Sequence, residues 1–93
     1  MKQFTIDFAN VETIFGFYDA IIAGLKLPDW CGKNPSAIWD MLTGHIEYPA
    51  TIRLHGTAML PIEYKDEMDL LMKIFQRVED RYDYIKFAIK IIS

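Results

Sequence analysis

The stretch NPSAIWDMLTG, residues 34–44, carries the signals of a complete short helix. Asn34 is of a residue type that caps helix N-termini, and Pro35 suits the first helical position. Gly44 suits the position just past a helix end. Because three separate signals agree, the sequence predicts a helix bounded by Asn34 and Gly44.

Residues three and four apart share one side of a helix. That spacing places Ile38, Met41 and Leu42 toward a core, with Ala37 beside them. The other side then carries Ser36, Trp39, Asp40 and Thr43, and the loop before the helix adds Asp29 and Trp30.

This second side has two interpretations. Tryptophan is enriched at binding hot spots, and a charged anchor among aromatic side chains is typical of them. Alternatively, Trp39 packs sideways onto the fold and Asp40 is a solvated helix residue. Residue types alone leave both interpretations open.

Outside the short helix, three stretches alternate apolar and polar residues, which is typical of strands with one buried face. They are residues 3–8, 50–56 and 84–92. The positions predicted to face inward are Phe4, Ile6, Phe8, Ile52, Leu54, Ile85, Phe87, Ile89 and Ile91.

Apolar residues at helical spacing predict two longer helices, over residues 11–25 and 66–81. We expect Asn10 to cap the first and Gly24 to stop it. Pro61 excludes a continuous helix over residues 57–64, so a loop or a single turn is expected there.

The predicted order is strand, helix, helix, strand, helix, strand. Helices between strands favour parallel pairing with right-handed crossovers. Parallel strands covered on both faces read as continuous apolar runs, whereas these strands alternate. We therefore predict a two-layer α/β domain. A three-stranded parallel sheet is packed by three to four helices, and its other face is partly open to water.

Composition narrows the class of protein. A chain of 93 residues predicts a single domain, residues 1–93, and a hydrophobic share of 52% fits a globular core. The net charge of −3 argues against nucleic acid as a direct partner. No stretch approaches the ~20 apolar residues of a membrane span. The lone Cys31 excludes an internal disulfide and suits a reducing compartment, so we expect a cytoplasmic protein.

Two chemical alternatives involve the lone cysteine. Cys31 with His45 and Asp40 could form a thiol nucleophile with its base, but the spacing matches no known signature. Cys31, His45 and His55 lack the closely spaced pairs typical of metal sites. We therefore predict neither an enzyme nor a metal or cofactor site.

Residues 27–49, LPDWCGKNPSAIWDMLTGHIEYP, resemble the signature region of the barstar family, whose members inhibit the ribonuclease barnase inside the cell. The family shows Leu-Pro-acidic-aromatic-x-Gly-x-Asn, then a short helix with Leu/Ile-Trp-Asp, then Leu-Thr-Gly-x-x-Glu-Tyr-Pro. The matching residues are Leu27, Pro28, Asp29, Trp30, Gly32, Asn34, Ile38, Trp39, Asp40, Leu42, Thr43, Gly44, Glu47, Tyr48 and Pro49.

The resemblance implies a binding face made by the short helix and the loop before it. On this face Asp40 would take the place of a substrate phosphate in the active site of a basic ribonuclease or nuclease toxin domain. It implies a monomer in a 1:1 complex. The partner-binding residues expected from it are Asp29, Trp30, Gly32, Asn34, Ser36, Trp39, Asp40, Thr43, Gly44 and Arg77.

Four positions depart from the family pattern. Ser36 and Arg77 stand where the family has acidic contacts, Trp30 replaces a tyrosine and His45 replaces a tryptophan. The loss of two acidic contacts favours a target other than barnase. Three interpretations stay open: an inhibitor of the cell's own ribonuclease, an immunity protein against a delivered bacterial toxin, and a regulatory module with no enzyme target.

Overall fold

The structure, a computed structural model, describes residues 2–92. It contains three strands, β1 (Lys2–Asp7), β2 (Ala50–His55) and β3 (Phe87–Ile92). They form one sheet in the order β1-β2-β3, and both pairs are parallel. The predicted three-stranded parallel sheet is therefore confirmed.

Three helices connect the strands: α1 (Ile14–Gly24), α2 (Pro35–Gly44) and α3 (Lys65–Arg81). The segment before α3 forms two 3-10 turns, Thr57–Met59 and Ile62–Tyr64, on either side of Pro61. Within residues 2–92 no helix combines the length and apolar character that a membrane span needs. The α/β class and the order of elements agree with the prediction.

The predicted start of α1 is wrong by three residues. Thr13, not Asn10, is the N-cap, and its hydroxyl oxygen accepts the N–H of Gly16 at 2.9 Å. Val11 is buried and its N–H bonds to the carbonyl of Phe8, so the chain makes a separate turn before the helix begins. Asparagine and threonine can both cap a helix, and because the turn at Val11 comes first, Thr13 rather than Asn10 is the cap.

Gly24 lies inside α1, and Leu25 is the C-cap. A Cβ at Gly24 would lie 2.6 Å from the carbonyl oxygen of Thr5 and 2.7 Å from Cα of Ile6. Gly24 therefore allows α1 to approach β1 closely, which is a packing role rather than the predicted helix stop.

The core lies between the sheet and the helical layer. Ile6, Ile52 and Leu54 are fully buried on the inward face of the sheet. The helices contribute Phe17, Ile21, Ile38, Leu42, Leu71, Ile74, Phe75 and Val78. On the other face Thr5, Ala88 and Lys90 are exposed, while Thr51 is buried. The two-layer arrangement with one partly open face is thus confirmed.

One inward prediction is wrong. Ile91 pairs in register with Leu54, yet 64% of its surface is exposed. β3 is an edge strand, and only its early part lies beneath the helical layer. Strand periodicity assigns a side chain to a face but does not tell how far the opposite layer extends along it.

Candidate functional site

The start of α2 is fixed by a local cap. Asn34 Oδ1 accepts the N–H of Ala37 at 2.9 Å, and Pro35 occupies the first turn. A Cβ at Gly32 would lie 2.9 Å from Nδ2 of Asn34 and 3.2 Å from Cβ of Ala37. Gly32 and Asn34, both candidate site residues, therefore determine the conformation of the loop that leads into α2.

Four positions of α2 divide between its two sides as predicted, while Met41, Trp39 and Thr43 are of intermediate exposure. Ile38 and Leu42 are fully buried, whereas Ser36 and Asp40 are exposed. Within residues 2–92, the carboxylate of Asp40 takes part in no hydrogen bond or ion pair. A negative group held on a helix and left without an internal counter-charge is available to an external cation.

The end of α2 differs by one residue from the prediction. Gly44 is the last helical residue and His45 is the C-cap, with its N–H bonded to the carbonyl of Met41 at 2.9 Å. The hydroxyl of Thr43 donates to the carbonyl of Trp39 at 2.9 Å and lies 3.2 Å from that of Asp40. The hydroxyl of Thr43 is therefore engaged within α2.

The two tryptophans have different environments. Trp39 is half-buried against the core, and its ring lies 6.4 Å from that of Tyr82. Trp30 is 75% exposed, and Asp29 beside it is also exposed. Trp39 thus packs sideways onto the fold and remains partly exposed, and its role in binding stays a prediction.

The loop before α2 is attached to α1 through Lys33. Its Nζ lies 2.8 Å from Oδ1 of Asp19 and 5.7 Å from the ring centre of Phe15. The N–H of Cys31 bonds to the carbonyl of Pro28 at 3.0 Å. These contacts hold the loop that carries Trp30 next to the start of the helix that carries Asp40.

Arg77 lies apart from the other candidate site residues. It is exposed on α3, and within residues 2–92 it makes no hydrogen bond, ion pair or ring contact with Asp40 or Trp39. The structure instead brings Tyr82 to Trp39, and Tyr84 to Tyr82 at 5.9 Å between ring centres. Sequence reasoning missed both tyrosines, although their spacing after α3 was a signal that they share one side.

The catalytic and metal alternatives have no support at this site. Cys31 is buried, and burial raises the pKa of its thiol, which is the opposite of what a thiolate nucleophile requires. In the described residues no group of three or more His, Cys, Asp or Glu side chains could hold a metal ion.

A parallel sheet with one helical layer, in which a short helix carries the exposed Asp40 next to Trp39 in the chain, defines a class of small α/β proteins with a candidate contact face. The chain belongs to the barstar family, because the family's sequence model, described as Barstar (barnase inhibitor), matches residues 1–92. One relative from Bacillus subtilis (strain 168) carries the name "Putative ribonuclease inhibitor YrdF". It is 28% identical over 89 residues, which cover 91% of this chain and 98% of that protein. The family is thus one of ribonuclease inhibitors.

Proposed function

We propose that this protein inhibits a ribonuclease by placing Asp40 in its active site, where the carboxylate takes the position of a substrate phosphate. The observation that carries the proposal is the exposed carboxylate of Asp40 on a well-anchored helix. A ribonuclease site must be cationic to hold phosphate, and a carboxylate accepts the same bidentate arginine hydrogen bonds.

The contact face proposed for this function consists of the loop before α2 and the exposed side of α2. Trp30 supplies a large open ring and Ser36 a small polar position near Asp40. Asp29, Thr43 and Gly44 complete the surface, while Gly32 and Asn34 shape the helix start. The protein acts as a monomer in a 1:1 complex, inside the cell that it protects.

Ser36 and Arg77 favour a target other than barnase itself. A partner arginine that meets an acidic residue at either position would here meet a hydroxyl or a like charge, and like charges in contact oppose association. The second candidate function is therefore that of an immunity protein against a delivered bacterial toxin that is not a barnase-type ribonuclease.

The test is an RNA-cleavage assay with barnase, and with any nuclease that the protein captures from a lysate of its own source. For the nuclease that is its target, we expect complete inhibition at a 1:1 ratio by the wild type and strong loss of inhibition by Asp40→Asn, which keeps the shape of the side chain and removes its charge. Glu63→Gln is the matched control, since Glu63 is an exposed carboxylate outside the contact face. Full inhibition by Asp40→Asn would overturn the phosphate-mimic role. A captured toxin without ribonuclease activity would favour the immunity function.

A further inference from the structure

The segment between α3 and β3 continues the aromatic surface of α2. The ring of Tyr82 lies 6.4 Å from that of Trp39 on one side and 5.9 Å from that of Tyr84 on the other. Three rings from two distant parts of the chain therefore form one connected cluster, which we call the aromatic ladder (Trp39, Tyr82 and Tyr84).

The ladder ends in an open ring. Trp39 and Tyr82 are half-buried, but Tyr84 is 68% exposed. An edge-to-face contact with the ring of Tyr82 restricts the side chain of Tyr84, so a partner would have less side-chain freedom to order on binding. An exposed aromatic ring already positioned in this way loses little conformational entropy on binding.

A contact within the protein indicates which chemical group an exposed tyrosine ring can bind. The guanidinium of Arg81 stands over the ring of Tyr82 at 6.0 Å, which is a cation–π arrangement. In the described residues no cation stands over Tyr84, and the neighbouring Asp83 is exposed without an ion pair. The exposed ring of Tyr84 therefore has a face open to a further cation, and Asp83 adds a negative charge at the neighbouring position of the chain.

We propose that Tyr84 is a contact residue for the same ribonuclease that Asp40 engages, and that its ring receives an arginine or lysine side chain at the rim of the enzyme's cleft. The inference rests on the proposed function, because a ribonuclease that binds phosphate presents cationic side chains around its site. It extends the contact face from α2 across Trp39 and Tyr82 to the segment before β3.

The test measures dissociation rates from barnase, or from a captured ribonuclease if barnase is not inhibited. We expect Tyr84→Phe to dissociate like the wild type, because phenylalanine keeps the ring face. Tyr84→Leu and Tyr84→Ala should each dissociate about tenfold faster, because neither offers a π-face to a cation. Met59→Ala is the matched control, since Met59 has a similar exposure of 66% and lies past the far end of β2. Thermal unfolding of each variant verifies the fold.

Three other outcomes would each overturn the proposal for Tyr84. If Asp40→Ala weakens binding while Tyr84→Ala binds like the wild type, Tyr84 is not a contact residue and the proposed function stands. If Tyr84→Leu binds normally and Tyr84→Ala does not, the contact is apolar and the cationic partner is overturned. If the wild type inhibits neither barnase nor a captured ribonuclease, the proposed function fails, and this inference fails with it.

Discussion

The phenol of Tyr48 donates a hydrogen bond to the carbonyl oxygen of Leu42 in the last turn of α2. This contact ties the end of the helix that carries Asp40 to the chain just before β2. Burial, with a smaller contribution from Tyr84, raises the pKa of Tyr48 to about 12. The neutral phenol is therefore the form that the folded protein requires, because only that form donates the hydrogen bond.

We expect this phenol to make the protein sensitive to alkaline pH. The unfolded chain loses the Tyr48 proton near the ordinary pKa of 10, whereas the folded chain keeps it up to about 12. The folded state thus binds more protons in this window, and the free energy of unfolding falls as pH rises through it. Urea unfolding at pH 8, 10 and 11 measures the loss.

Tyr48→Phe is the control for that pH dependence. It should cost about 1 kcal/mol at neutral pH, since the hydrogen bond to Leu42 is lost. It should also show a shallower fall of stability above pH 10, because residue 48 no longer titrates. An identical alkaline slope in both proteins would assign the pH dependence to other groups, among them Tyr18, whose pKa burial also raises.

The cap of α2 gives a second prediction. Asn34→Ala removes the acceptor for the N–H of Ala37 and should lower the free energy of unfolding by about 1 kcal/mol. Asn34→Asp keeps an acceptor at the same place and should be close to the wild type. Chemical unfolding at neutral pH measures both. Equal stability of all three proteins would mean that water replaces the cap without loss.

A pair of glycines gives a third prediction. Gly24→Ala forces a methyl group against the backbone of β1, 2.6 Å from the carbonyl oxygen of Thr5, where no flexible side chain can move away. We expect a loss of more than about 2 kcal/mol in the free energy of unfolding. Gly44→Ala is the matched control, since it is also helical and nothing lies within 4 Å of its added methyl. It should be neutral or gain up to about 1 kcal/mol. Similar effects at both positions would contradict the packing role of Gly24.

The sequence predicted those parts of the fold that depend on local chemistry. Strand alternation, the length of α3 and the Asn34 cap are encoded within a few residues of where they act. The predictions failed where the local sequence allowed more than one structure and a contact with another part of the chain determined which one forms. Thr13 replaces Asn10 as a cap because a turn at Val11 comes first, and Gly24 is needed by β1 rather than by the helix end.

The candidate site divides in the same way. Helical spacing alone predicted that Ser36 and Asp40 are exposed while Ile38 and Leu42 are buried. Tyr84 was assigned to the predicted strand over residues 84–92, and Tyr82 lay in the gap between that strand and the predicted helix over residues 66–81, so neither was considered for the site. The contact of Tyr82 with Trp39 joins residues far apart in the chain, which no spacing rule detects, and Tyr84 is connected to Trp39 only through Tyr82.

The two tryptophans should respond differently to truncation. Trp30→Ala removes a ring that is 75% exposed, so we expect unchanged thermal unfolding and weaker binding to the ribonuclease. Trp39→Ala removes packing against the core and against Tyr82, so it should lower both stability and binding. Unfolding curves and dissociation rates measure the two effects separately. If Trp39→Ala does not fold, Trp39 is a core residue, and the contact face no longer includes it.

The most direct prediction concerns Asp40. Asp40→Ala should weaken ribonuclease binding by at least ~2 kcal/mol, the scale of an interface hot spot, because a desolvated cation in the enzyme would lose its counter-charge. Stability should change little, since the carboxylate has no hydrogen bond or ion pair within residues 2–92. The wild-type association rate should fall as salt rises, because opposite charges steer the encounter and salt screens them. A dissociation constant unaffected by Asp40→Ala, together with an association rate independent of salt, would point to an apolar partner surface instead.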